Sequence, residues 1–179
     1  MELRRVATSE LTATEIEALR EMIWAAFADD AEPFTEEDWG HGLGGIHFVL
    51  EESGAIIAHA SVVEREIHAG EEQLRTGYVE AVATRTDLQG RGHGSRVMRE
   101  VGEYIDRGFP LGALDTGSQG FYDRLGWVIW KGPTFVRTGE GLVRTAEDDG
   151  NVMVRLTPTS PDLDLSLPIS AEWRPGDVW

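Results

Sequence analysis

Apolar and polar positions alternate over residues 2–8 in the manner of an edge strand. Thr12 and Glu15 then form a T-x-x-E capping box, and Ile16, Leu19, Ile23 and Phe27 recur at helical spacing. That pattern predicts a first helix running to about residue 28. An acidic, turn-rich segment follows, Asp29 to Asp38 with Pro33 inside it, and His41 to Gly45 predicts a short helical turn ending in glycines. Three strand-like runs come next, Ile46 to Glu51, Ala55 to Glu66 and Gln73 to Thr84. The pairs Ser53-Gly54 and Ala69-Gly70 mark the hairpin turns between them, so the runs form an antiparallel meander.

Beyond the meander, Val97, Val101, Tyr104 and Ile105 share one helical face, predicting a helix from about Gly92 to Arg107 with Gly108 as its C-cap residue. Leu111 to Leu114 is a short buried strand, and Ser118 to Leu125 a short helix stopped by Gly126. Trp127 to Val136 and Val152 to Leu156 read as a final pair of strands joined by the polar segment Thr138 to Gly150. The tail, Asp162 to Trp179, is too rich in turns for a helix. The order describes one α/β (α+β) domain with a mixed, mostly antiparallel sheet flanked by helices.

Composition narrows the function classes. The 179 residues carry 16 basic and 32 acidic side chains, a formal net charge of -16. Nucleic acid and anionic membranes need basic surfaces, so both are disfavoured, whereas a cationic small molecule would be attracted. No apolar run approaches the ~18 residues of a membrane span. The N-terminus lacks the apolar centre of a secretion signal and cysteine is absent, which fits a cytoplasmic protein without disulfides or thiolate metal sites. The five histidines show no metal spacing, so no metal is expected.

The chemistry concentrates at Leu88-Gln-Gly-Arg-Gly-His-Gly-Ser95, where Gly90, Gly92 and Gly94 precede the third helix. A helix N-terminus leaves about four amides without intrahelical partners and carries a positive dipole end. Glycines let the backbone close on an anion without Cβ clashes, so the segment reads as a phosphate cradle. Gln89, Arg91 and His93 lie within it, with Arg85 and Arg96 at the rim. A P-loop is excluded because no G-x-x-x-x-G-K-[ST] string exists. A dinucleotide fingerprint is excluded because the spacing is G-x-G-x-G and follows an antiparallel meander.

Gln89-x-x-Gly92-x-Gly94, after a strand and before a helix, resembles the acetyl-CoA pyrophosphate loop of the GNAT N-acetyltransferases. More specific runs resemble the aminoglycoside 2'-N-acetyltransferases within that superfamily. They are Leu43-Gly-Gly-Ile-His47, Gly77-Tyr-Val-Glu-Ala-Val82, Leu111-Gly-Ala-Leu114, Trp130-Lys-Gly-Pro133 and the terminal Trp173-Arg-Pro-Gly-Asp-Val-Trp179. The resemblance covers nearly the whole chain and implies acetyl-CoA as co-substrate and a homodimer.

Acetyl transfer to an amine needs a base for the ammonium proton, an in-line thioester, an N–H donor for the developing oxyanion and an acid for the leaving thiolate. The resemblance implies Glu80 as the base, directly or through water, and the Val82 main-chain N–H as the oxyanion donor. Tyr122 is the implied acid, with Phe121 left to packing. It also implies that the coenzyme's pantetheine arm pairs with the strand edge at Val82 and Thr84, as an added strand would, while Gln89, Gly90, Arg91, Gly92, His93 and Gly94 hold the pyrophosphate. Carried over by position, the resemblance implies that Asp30, Asp38, Asp148 and Trp179 surround an aminoglycoside, with Glu80 and Asp115 adding charge. Two departures bear on specificity: Ala31-Glu-Pro33 resembles an insertion, and Asp115 stands where a serine is expected. Two other readings stay open at this point. One is the same chemistry on a polyamine, amino sugar or peptide N-terminus; the other is an idle acyl-CoA-binding module.

Overall fold

The alternating N-terminal segment forms strand β1 (Glu2–Ala7), and the capping box opens helix α1 (Ala13–Ala26). The Glu15 amide donates to the Thr12 hydroxyl at 3.2 Å, and the Thr12 amide donates to the Glu15 carboxylate at 2.8 Å. The computed structural model describes residues 1–28 and 34–179. A second capping box, Thr35 with Asp38, starts helix α2 (Glu36–Gly42) several residues before the turn read from His41–Gly45. Its short T-x-x-D signal is masked in the sequence by the acidic run around it.

Two compact units make up the chain: Met1–Val63 with Val79–Val101, and Glu64–Tyr78 with Gly102–Trp179. Strands β3 (Ala55–Ala69) and β4 (Glu72–Thr84) and helix α3 (His93–Gly108) contribute one part to each.

The first unit is a sheet in the order β1, β2 (Ile46–Glu52), β3, β4. Strands β1 and β2 pair antiparallel from Glu2↔Glu51 to Ala7↔Ile46. Ser53 (φ 52°) and Gly54 (φ 80°) make the two-residue turn into β3, both left-handed as the twist of a hairpin demands. The apolar face of α1, Leu19, Met22 and Ile23, packs with Trp39 of α2, Val49 and Ala83. The first turns of α3 bury Val97, Met98 and Val101.

In the second unit the short buried run forms β5 (Leu111–Asp115), parallel to β4 at Thr76↔Leu111, Gly77↔Gly112 and Tyr78↔Ala113. Helix α4 (Gln119–Asp123) follows. The run Trp127–Val136 is not one strand. It splits at Trp130-Lys-Gly-Pro133 into β6 (Val128–Ile129) and β7 (Thr134–Thr138). Only β6 pairs with β9 (Val152–Leu156), whose other edge joins β5; β7 pairs instead with β8 (Gly141–Arg144), a strand inside the polar segment read as a connection. The tail also holds a strand, β10 (Ile169–Glu172), lying antiparallel to β3 and parallel to β7. The split is physical. Gly132 packs where a Cβ would overlap the Leu167 carbonyl, and the Trp130 indole donates to the same oxygen at 2.8 Å. No helix of the described residues is long and apolar enough to cross a membrane.

Candidate active site

Strand β4 positions three of the sequence-selected residues, Glu80, Val82 and Thr84, each half-buried in the first unit. Between them Ala81 adopts φ 49°, a left-handed backbone rare for a residue with a Cβ. A kink here changes which way neighbouring peptides face. Two β3 side chains meet the kink. Ser61 Oγ donates to the Glu80 carbonyl at 3.3 Å, and His59 Nδ1 lies 2.8 Å from the Ala81 carbonyl. The end of α2 closes on the same place: a Cβ at Gly42 would lie 3.8 Å from Glu80 Cβ and 3.7 Å from Ala81 Cβ. Asp38 is one turn earlier on that helix, but its carboxylate accepts from the Thr35 amide and hydroxyl, both at 2.8 Å, as part of the cap. Asp30 and the Ala31–Pro33 segment lie outside the described residues.

After Thr84 the chain turns through residues 86–88 into the glycine loop. Gly90 and Gly92 hold φ 73° and 84°, and no atom lies within 4 Å of where their Cβ atoms would stand. The backbone is therefore both left-handed and open, the form that a diphosphate can approach closely. The Arg96 amide donates to the Gly92 carbonyl at 3.0 Å, which starts α3 and leaves its leading amides facing outward along the axis. Gln89 and Arg91, expected as phosphate donors, brace the loop here: Gln89 Nε2 donates to the Thr84 carbonyl and Arg91 Nη2 to the Asp87 carbonyl, both at 3.2 Å. Arg85 pairs with Asp87 at 2.6 Å. His93 and Gly94 are half-buried in the first turn of the helix. A Gly92→Ala substitution forces a Cβ into the left-handed region at about 1–2 kcal/mol. The expected result, read by calorimetric titration, is about tenfold weaker acetyl-CoA binding.

The second unit holds the remaining candidates. Tyr122, on α4, is 7% exposed, and its ring meets Trp127 edge-on at 6.3 Å. It is more buried than Phe121, so the two share the packing. Burial pushes its hydroxyl above the ordinary phenol range, with the Thr116 side chain opposing. The hydroxyl therefore stays protonated. Asp115 ends β5 opposite Val152.

The acidic run after β8 divides by role. Asp149 accepts from the Thr134 amide at 3.0 Å, the Thr134 hydroxyl at 2.9 Å and Arg144 Nη1 at 2.9 Å, and Arg144 holds its carboxyl down at about 2. Asp148 is raised to about 6, first by burial and then by Asp177, Glu147 and Asp149, against the Thr145 side chain. A half-buried carboxylate among other carboxylates gains most from an arriving cation. Thr145 also joins it to the C-terminal residue: the Trp179 indole, 3% exposed, donates to Thr145 Oγ1 at 3.0 Å. Asp148 and Trp179 therefore meet at one side chain. Thr145 has no sequence signal, being one hydroxyl residue in a polar segment; its role appears only when the terminal tryptophan folds onto it.

Acetyltransferase (GNAT) domains match residues 7–130. An aminoglycoside 2'-N-acetyltransferase from Mycolicibacterium fortuitum is 41% identical over 98% of this chain and 91% of its own length. The chain belongs to the aminoglycoside 2'-N-acetyltransferase family of GNAT enzymes. GNAT-type folds recur among solved structures. Escherichia coli ElaA matches with TM-score 0.63 at 19% identity, over 86% of this chain and 98% of that chain. A GNAT family acetyltransferase from Brucella melitensis, solved in complex with acetyl-CoA, matches with TM-score 0.54 at 18% identity, over 84% of this chain and 94% of that one. Membership in the family makes this chain an acetyltransferase.

Proposed function

We propose that this GNAT enzyme moves the acetyl group of acetyl-CoA to the 2'-amine of an aminoglycoside, inactivating the drug and conferring resistance. The near full-length identity to the M. fortuitum enzyme carries this reading. The net charge of -16 supports a polycationic acceptor. In the reaction Glu80 takes a proton from the attacking ammonium, directly or through water. The amine nitrogen bonds to the thioester carbon, and the Val82 N–H faces the carbonyl oxygen as it gains charge. The carbon–sulfur bond breaks, and Tyr122 gives its proton to the coenzyme thiolate. The coenzyme's diphosphate fits the open, left-handed loop at Gly90 and Gly92, and its pantetheine arm pairs with the main chain of Val82 and Thr84. Asp148 and Trp179 hold ammonium and hydroxyl groups of the sugar, with Asp30, Asp38 and Asp115 adding charge. The enzyme acts as a homodimer in the cytoplasm.

The test is release of free coenzyme A, followed by a thiol reagent, with paired aminoglycosides that differ only in a 2'-amine or a 2'-hydroxyl. Thiol release is expected with the amine alone, and a mass increase of one acetyl group confirms the product. Equal turnover of both members of a pair overturns the 2' assignment. Turnover of simple polyamines and of neither aminoglycoside moves the enzyme to another acceptor.

A further inference from the structure

Two histidines, His47 on β2 and His59 on β3, have no solvent exposure. They form a chain with Thr8. Thr8 Oγ1 lies 2.8 Å from His47 Nε2, His47 Nδ1 lies 2.9 Å from His59 Nε2, and His59 Nδ1 lies 2.8 Å from the Ala81 carbonyl. The far end fixes the direction of the whole chain. A carbonyl only accepts, so His59 carries its proton on Nδ1 and accepts at Nε2. His47 then donates from Nδ1 and accepts at Nε2, leaving the Thr8 hydroxyl to donate. The Gly44 amide supplies Thr8 in turn, at 2.9 Å. Every buried polar atom of the two neutral rings is satisfied in this one arrangement. Burial lowers His47 to about 4 and His59 to about 3, so both are neutral near pH 7.

The chain ends on the left-handed residue of β4. In a planar trans peptide the carbonyl and the following N–H point in opposite directions. Fixing the Ala81 carbonyl toward β3 therefore aims the Val82 N–H the other way. Ser61 does the same for the preceding peptide through the Glu80 carbonyl. A regular strand alternates its carbonyls; the kink turns two successive ones toward β3 side chains, and their N–H groups away from it. A hydrogen bond at a carbonyl also makes the N–H of that peptide a stronger donor.

We infer that His59, oriented by His47, is a positioning residue for acetyl transfer, holding the Ala81–Val82 peptide so that the Val82 N–H faces the thioester oxygen. The inference rests on the assignment of Val82 as oxyanion donor made above. It makes the buried pair part of catalysis without contact to either substrate.

Two variants separate donor geometry from simple packing. His59→Leu removes the donor; His59→Asn keeps an N–H on the atom next to Cγ, where Nδ1 stands. Steady-state assays with acetyl-CoA and an amine acceptor are expected to show kcat lowered about tenfold or more in His59→Leu, within about threefold of wild type in His59→Asn, and the KM for acetyl-CoA within about twofold in both. Equal kcat in the two variants, or wild-type kcat in His59→Leu, overturns the inference. Nitrogen-15 spectra of histidine-labelled wild-type protein decide the same point without turnover or a folded variant. Protons on Nδ1 of both His47 and His59 are expected, and a proton on His59 Nε2 overturns it. A wild-type chain that turns over no amine removes the proposed acceptor chemistry, while those spectra still decide whether His59 orients the peptide.

Discussion

Replacing Glu80 by Gln is expected to lower kcat/KM for the amine acceptor by about 10²–10⁴-fold, the range that a positioned general base contributes. The acceptor arrives as an ammonium, which has no lone pair. A carboxylate accepts the proton as the nitrogen attacks; the glutamine amide keeps the shape and hydrogen bonding but does not accept a proton. The loss should be largest at low pH, where nearly all of the amine is protonated. It should shrink as the pH rises toward the ionisation of the amine itself. Acetyl-CoA affinity, measured by titration, should stay within about twofold of wild type, since the loop proposed to hold the diphosphate is separate in sequence from Glu80. A variant whose pH profile parallels that of wild type removes Glu80 as the base.

The second large effect is on stability. Gly132 sits in the Trp130-Lys-Gly-Pro run with its amide donating to the Leu165 carbonyl at 2.9 Å. A Cβ there would overlap the Leu167 carbonyl and stand 2.6 Å from its carbon and 2.7 Å from the Ser166 oxygen. These neighbours are main chain, so no rotamer change relieves the overlap. Gly132→Ala is expected to cost about 3 kcal/mol or more. In a chain of this size that lowers the thermal midpoint by about 6–12 °C, read by calorimetry or circular dichroism. Gly40→Ala is the matching control. It is helical, with nothing within 4 Å of the added methyl, and is expected to leave the midpoint unchanged or slightly higher. A Gly132→Ala midpoint within about 2 °C of wild type would show that the backbone at residues 166–167 gives way more easily than its packing implies.

Legibility in the sequence followed the range of the interactions. The meander, α1 and the glycine loop were readable because their signals are local: a capping box, a Ser-Gly turn, glycines before a periodic helix. The second unit was read less well. Leu142 and Val143 of β8 are exposed, so no burial pattern marks the strand. The four residues of β10 are a strand only because β3 and β7 lie on either side. The same split holds for the candidate site. The loop stood out by motif, while Glu80 and Tyr122 were singled out only through the resemblance to a known family. The kink at Ala81 did not stand out, since alanine does not favour φ 49° and its cause is two β3 side chains some twenty residues away. His47 and His59 were judged for metal spacing alone. Their pairing needs the register of β2 against β3, with His47 opposite Ser61 and Val49 opposite His59, which no one-dimensional pattern displays.

Strand β10 fills the gap between β3 and β7 with residues Ile169–Glu172. During synthesis β3 and β7 emerge from the ribosome more than thirty residues before the segment that bridges them. Until then both present bare hydrogen-bonding edges, a template for other nascent chains. Residues 169–172 thus close the sheet between β3 and β7. A chain stalled or clipped before residue 169 would meet the cell's quality-control machinery as a sticky, half-zipped sheet.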